Sequence, residues 1–165
     1  MNIKRLFRHL LQPPWLARRA FSADVMSRIE ETVKQSERLH CGELRVVIEA
    51  SLDLGPLLRG KSPRARACEV FAETGVWDTA ANSGVLLYIN HADRDIEIVA
   101  DRGISACVPQ EQWEAICRSM ELEFREYRFE EGLLEGIRRI TVLLQQYFPA
   151  TGENPDELGN RPTLL

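Results

Sequence analysis

The sequence predicts an α/β protein, a three-layer α/β/α sandwich around a small mixed β-sheet. Three features carry this expectation: β-branched runs at residues 43–50, 85–90 and 95–100, a link of only four residues between the last two runs, and apolar residues at helical spacing around them. With 165 residues, 44% hydrophobic and 28% charged, the chain has the make-up of one globular domain with short tails. The predicted organisation is a basic N-terminal arm over 1–20, an α/β domain over 21–149 and a polar tail over 150–165.

Taken in order, "FSADVMSRIEETVKQSERLH" places Val25, Ile29 and Val33 at steps of four. Ser22 stands as N-cap, Asp24 falls in the first turn, and Phe21 is positioned to staple onto Met26. "ELRVVIEA", residues 43 to 50, is short, bounded and β-branched, and reads as a buried strand. "SLDLGPLLRGK" reads as a loop. Ser62-Pro63 then opens a helix that runs through Ala67 and Phe71 and stops at Gly75.

The strands at 85–90 and 95–100 are joined by His91-Ala92-Asp93-Arg94, too short for a parallel crossover, so they form an antiparallel hairpin. The first and second strands, with a helix between them, suit a right-handed parallel crossover. Trp113, Ile116, Cys117, Met120 and Phe124 mark the buried face of a third helix. Leu133, Ile137, Ile140, Leu144 and Tyr147 mark a fourth, ending at Phe148-Pro149. The tail is polar and turn-rich and reads as a loose extension.

The net charge of -4 supplies no basic field, so no nucleic-acid partner is expected. Cys41, Cys68, Cys107 and Cys117 lack zinc-ligand or redox-dithiol spacing and read as reduced core residues. The N-terminus lacks the h-region and cleavage site of a secretory signal, and no run reaches the ~20 apolar residues of a membrane span. The expected address is cytoplasmic, peripheral to the inner membrane if the arm attaches there. Lys4, Arg5, Arg8, Arg18 and Arg19, with Leu6, Phe7, Leu10, Leu11 and Trp15 among them, suit an anionic membrane surface. Packing filler is the competing account of those apolar residues, since Pro13-Pro14 interrupts any long amphipathic helix.

Strand direction brings polar residues together. The first two strands start at one end of the sheet and the third finishes there, so Glu43, Asn82 and Asp101 share an edge, with His40, Asp78, Thr79 and Gly103 within loop reach. Asp93 and Asp95 lie at the other edge, about 20 Å away for a six-residue strand, and read as turn residues. Glu43, Asp78, Asn82 and Asp101 are hard oxygen donors, the type that Ca²⁺ or Mg²⁺ selects, and Gly84 and Gly103 allow close backbone approach. The bland account is that Asn82 and Asp101 make Asx turns and that Glu43 is a solvated strand end.

"GELRVVIEA", the A-x-x-x-F spacing of the second helix, "WDTAANSGVLLYI", "RDIEIVADRGI", "WEAICRSMELEFR" and "FEEGLLEGIRRITVLLQQYFP" resemble, in that order, the TPM domain family across about residues 22–149. That family is known from thylakoid-lumen and bacterial envelope proteins. The resemblance implies an α/β/α sandwich, divalent-cation binding and phosphatase-like activity in some members. The positions matching its polar motifs are Glu43, Asn82, Gly84, Asp101 and Gly103. Most members carry a signal peptide or membrane anchor, whose expected absence here argues against transferring a lumenal or periplasmic role.

Two functions follow as expectations. One is divalent-cation binding at the sheet edge with weak, metal-assisted phosphatase-type hydrolysis, for which His40 is a candidate general base or else a helix-end dipole partner. The other is a non-catalytic interaction module for an envelope or membrane protein. The chain has no Walker A loop, no cysteine-phosphatase loop and no D-x-D-x-T nucleophile, so the first function has little of the usual hydrolytic equipment.

Overall fold

The computed structural model describes residues 3–152 and 157–165. Its elements, numbered in chain order, are α1 (Ile3–Leu10), α2 (Pro14–Ala20), α3 (Ala23–Glu37), β1 (Glu43–Glu49), α4 (Leu54–Leu58), α5 (Pro63–Glu73), β2 (Gly84–Asn90), β3 (Asp95–Ala100), α6 (Arg102–Ser105), α7 (Gln110–Arg125), α8 (Phe129–Tyr147) and β4 (Thr163–Leu164). The sheet order is β3-β2-β1-β4, with β1 parallel to both β2 and β4 and with β2 antiparallel to β3.

The strands alternate strictly between two faces. Leu44, Val46 and Ile48 of β1, Val85, Leu87 and Ile89 of β2, and Ile96 and Ile98 of β3 join the main core with α3, α7 and α8. Val47, Leu86, Tyr88 and Val99 face the other way, onto Ala67 and Val70 of α5. This is the predicted α/β/α sandwich, with its mixed sheet in the middle layer. β2 is buried along its whole length, which explains its near-continuous apolar run.

Local signals act as read. The Ser22 hydroxyl accepts from Val25 N, the Ser62 hydroxyl accepts from Ala65 N at 3.1 Å, and Gly75 adopts φ +69° just past α5. Met26 packs on the same core as Phe21. Two stretches differ from expectation. The segment read as a loop after β1 holds the short helix α4, and the tail is docked rather than loose. Arg45 donates to the carbonyls of Leu158 and Gly159 at 3.0 Å and to Thr163 Oγ1 at 2.9 Å. Leu165 N then bonds Ile48 O at 2.8 Å, so β4 pairs an edge of β1 that would otherwise lie open.

Candidate functional site

The hairpin register places the expected residues at one edge. Glu43 lies opposite Gly84 across the parallel pair, and Asp101 N bonds Gly84 O at 2.8 Å on the other side. Neighbouring strands are about 4.8 Å apart, so the backbones of Glu43 and Asp101, on either side of Gly84, lie two spacings or roughly 10 Å apart. Asn82 sits in the turn that feeds β2, in the left-handed region at φ +51°, and Asp78 is exposed three residues before Ala81 in the same loop.

The glycines in this edge have steric causes. A Cβ on Gly84 would lie 1.9 Å from the carbonyl oxygen of Val76, and one on Gly103 would lie 2.6 Å from that of Asn82. The loop before β2 therefore crosses directly over the start of β2 and over the loop after β3. The "NSG" and "DRG" motifs are the two sides of that crossing.

Each polar side chain here has a distinct setting. Glu43 is buried, and its Oε2 accepts from the tail amides of Glu157 at 3.2 Å and Leu158 at 3.4 Å. The Glu157 carboxylate in turn accepts from Ala80 N at 3.0 Å. Asn82 Oδ1 accepts from Arg102 Nε at 2.7 Å. Asp101 is the N-cap of α6, its Oδ1 accepting from Arg102 N at 2.7 Å, while its Oδ2 is sealed from solvent with no hydrogen-bond partner among the described residues. Among the described residues, no group of three or more His, Cys, Asp or Glu side chains is arranged to hold a metal ion. Glu43, Asn82 and Asp101 thus share one sheet edge without their side chains converging as a ready-made ligand cluster.

His40 belongs to the interior rather than to this edge. It is fully buried, its Nδ1 accepts from Gly42 N at 3.2 Å, and its Nε2 lies 2.8 Å from Ser36 Oγ. Ser36 Oγ meets Thr141 Oγ1 at 2.6 Å, and Thr141 donates onward to Ile137 O. The chain of donors runs one way, from Gly42 through His40, Ser36 and Thr141 to α8, and ties the end of α3 to that helix. Burial pushes the His40 pKa down to about 4, which keeps the ring neutral.

The opposite edge holds what the sequence did not reveal. Asp93 accepts from Arg5 Nε at 2.8 Å and from Arg8 at 3.4 Å, and His9 Nε2 lies 3.0 Å from its carboxylate, while His9 Nδ1 accepts from Leu52 N. Burial alone would raise the Asp93 pKa, but the hydrogen bonds from His9 and Arg5 hold it below the ordinary value. An open cleft of about 1120 Å³ lies beside this anchor, lined by Arg19, His91, Asp95, Tyr127 and Phe129 among others. Burial, then the charges of Glu97 and Glu121, raise Asp95 to about 7. Burial and then Arg94 lower His91 to about 4. A third polar cluster sits under α5, where Arg66 grips Glu49 at 3.1 Å and the Tyr88 hydroxyl donates to the same carboxylate. Glu49 in an otherwise buried strand was the sequence signal for it.

The fold and this edge define a class: an α/β/α sandwich domain whose polar residues gather where two parallel strands begin and a hairpin strand ends. Residues 17–143 match the TPM domain, and the chain belongs to that family. Among solved structures it is similar to the BA42 protein from the psychrophilic bacterium Bizionia argentinensis, determined by NMR, with 27% identity and a TM-score of 0.76 over 87% of this chain and 94% of that one. No curated protein matches the chain.

Proposed function

We propose that this TPM-domain protein binds a hard divalent cation, Ca²⁺ or Mg²⁺, at the strand-start edge, with Asp101 as the anchoring carboxylate. Asn82, Asp78 and Glu43 are the further oxygen donors. The observation that supports this reading most is Asp101 Oδ2, buried and without a partner among the described residues. An unanswered buried acceptor costs about 1–3 kcal/mol, and a bound cation removes that cost.

The donor chemistry fits, because all four residues offer oxygen and none offers sulfur or imidazole. Two contacts compete with it: the Arg102 guanidinium on Asn82 and the tail amides on Glu43. Occupancy therefore involves movement of Arg102, and Glu43 joins only when residues 157–158 release it. Weak phosphatase-type hydrolysis is the extension of this reading, since a bound divalent cation supplies the charge stabilisation that phosphoester cleavage needs.

Thermal melting tests the binding. A cation that binds only the folded chain adds RT ln(1 + [L]/Kd), about 2.7 kcal/mol at roughly 100 Kd. Asp101→Asn keeps an N-cap oxygen but loses the charge, so it should reduce the increment. An unchanged melting temperature in millimolar Ca²⁺ and in millimolar Mg²⁺ overturns the proposal. A chromogenic phosphate ester assayed with and without the same ions tests the hydrolytic extension.

A further inference from the structure

The N-terminal helix is amphipathic and lies inside out. Arg5 and His9, four residues apart, turn toward the domain and hold Asp93, and Arg5 also donates to Lys61 O at 2.6 Å. Ile3, Phe7 and Leu10 lie on the opposite face at spacings of four and three, and Leu11 follows. These four are 58%, 57%, 53% and 75% exposed, values that belong to a solvent-facing side rather than to packing filler. A surface helix of a globular protein normally buries such a stripe.

The exposed apolar surface extends beyond α1. Helix α1 touches α4, where Leu54 and Leu58, one turn apart, are each about half exposed. Trp15 on α2 is 57% exposed. Cations dominate the surrounding charge: Lys4, Arg8, Arg18 and Arg19 are exposed and residues 1–20 contain no Asp or Glu, while beside α4 the exposed Asp53 is set against the exposed Arg59.

We propose that this face is a docking surface for an anionic lipid bilayer, with α1 lying in the plane of the interface. The occupant follows from charge complementarity. In the arm, large apolar side chains flanked by cations match acyl chains beneath anionic headgroups, and Trp and Phe suit the boundary between them. Among the described residues no helix is long and apolar enough to cross a membrane, so the contact made through this face is peripheral. The Asp93 anchor gives the device its rigidity. By holding Arg5 and His9 inward, it presents the apolar face already folded, so the ordering cost of a free arm is met before docking.

Co-flotation of the full chain with phosphatidylcholine vesicles and with vesicles containing 30% phosphatidylglycerol tests this. The expected result is binding to the anionic vesicles alone, weakened at high salt. The pair Phe7→Asp and Leu11→Asp, both at exposed positions, should reduce it at least tenfold without changing the melting temperature. Lys4→Glu with Arg18→Glu should lower binding and its salt dependence together, leaving the fold intact. Equal binding by the Phe7/Leu11 variant, or no binding to either vesicle, overturns the proposal. A dimer abolished by the same pair in the absence of vesicle binding would assign the face to a second copy of the chain and also overturn it.

Discussion

The two edges of the sheet carry similar acidic residues in opposite circumstances. At the turn edge, Asp93 is met by Arg5, Arg8 and His9 of the N-terminal arm, far from it in sequence. At the strand-start edge, Glu43 and Asp101 accept from backbone amides, and one oxygen of Asp101 has no donor among the described residues. The difference comes from which terminal segment covers each edge. Charged side chains of a basic helix meet the one, while backbone amides of the tail and of α6 meet the other.

The largest expected effect comes from removing the neutralised charge. Asp93→Ala leaves Arg5 and His9 facing a partly buried hole, a change worth about 3–5 kcal/mol when one member of a buried pair is lost. Urea unfolding should register it, and hydrogen exchange should show residues 3–20 losing protection first. If exchange in the arm is unchanged, the anchor is not what holds it.

Next is Gly84→Ala at the other edge, where the new Cβ meets the backbone of Val76 and nothing flexible can give way. About 3 kcal/mol of destabilisation is expected. Gly136→Ala, whose Cβ would meet the thioether of Met120 2.2 Å away, should cost about 1 kcal/mol because that side chain can swing aside. Equal losses in the two variants would refute the crossing-loop account of Gly84.

The pH profile separates the groups by sign. His40 and His91 fall to about 4 in the folded chain against an ordinary 6.5, so the unfolded chain takes up protons first as pH falls. Their stabilisation is complete above pH 6.5 and is lost toward pH 4, on the order of 3 kcal/mol for each. Asp95, raised to about 7 from 3.8, works the other way, destabilising the fold as pH climbs through that window. Asp95→Asn should therefore add more stability at pH 8 than at pH 4, which denaturation at the two values measures. The smallest effect is Glu157→Ala, which removes one exposed hydrogen bond to Ala80 N and should cost below about 1 kcal/mol.

The sequence made the sandwich legible because its signals were local: Ser22 and Ser62 as caps, period-two strands, and a four-residue turn that admits only an antiparallel pair. The shared edge of Glu43, Asn82 and Asp101 followed from strand direction alone. What the side chains do there did not, because the partners of Glu43 come from residues 157–158 and depend on a tail whose docking has no periodic signature. The anchoring role of Asp93 was hidden for the same reason. A turn aspartate looks alike whether it faces water or Arg5 and His9, and α1 placed its apolar stripe outward, against the usual rule.

The most direct test of the strand-start edge as the binding edge is a Ca²⁺ titration of the ¹⁵N-labelled chain, following the amide shifts of both edges together. Saturable shifts at Asn82, Gly84, Asp101, Arg102 and Gly103, with residues 91–95 unmoved, are the predicted result. Shifts centred on His91, Asp93 and Asp95, or none at either edge, would contradict it.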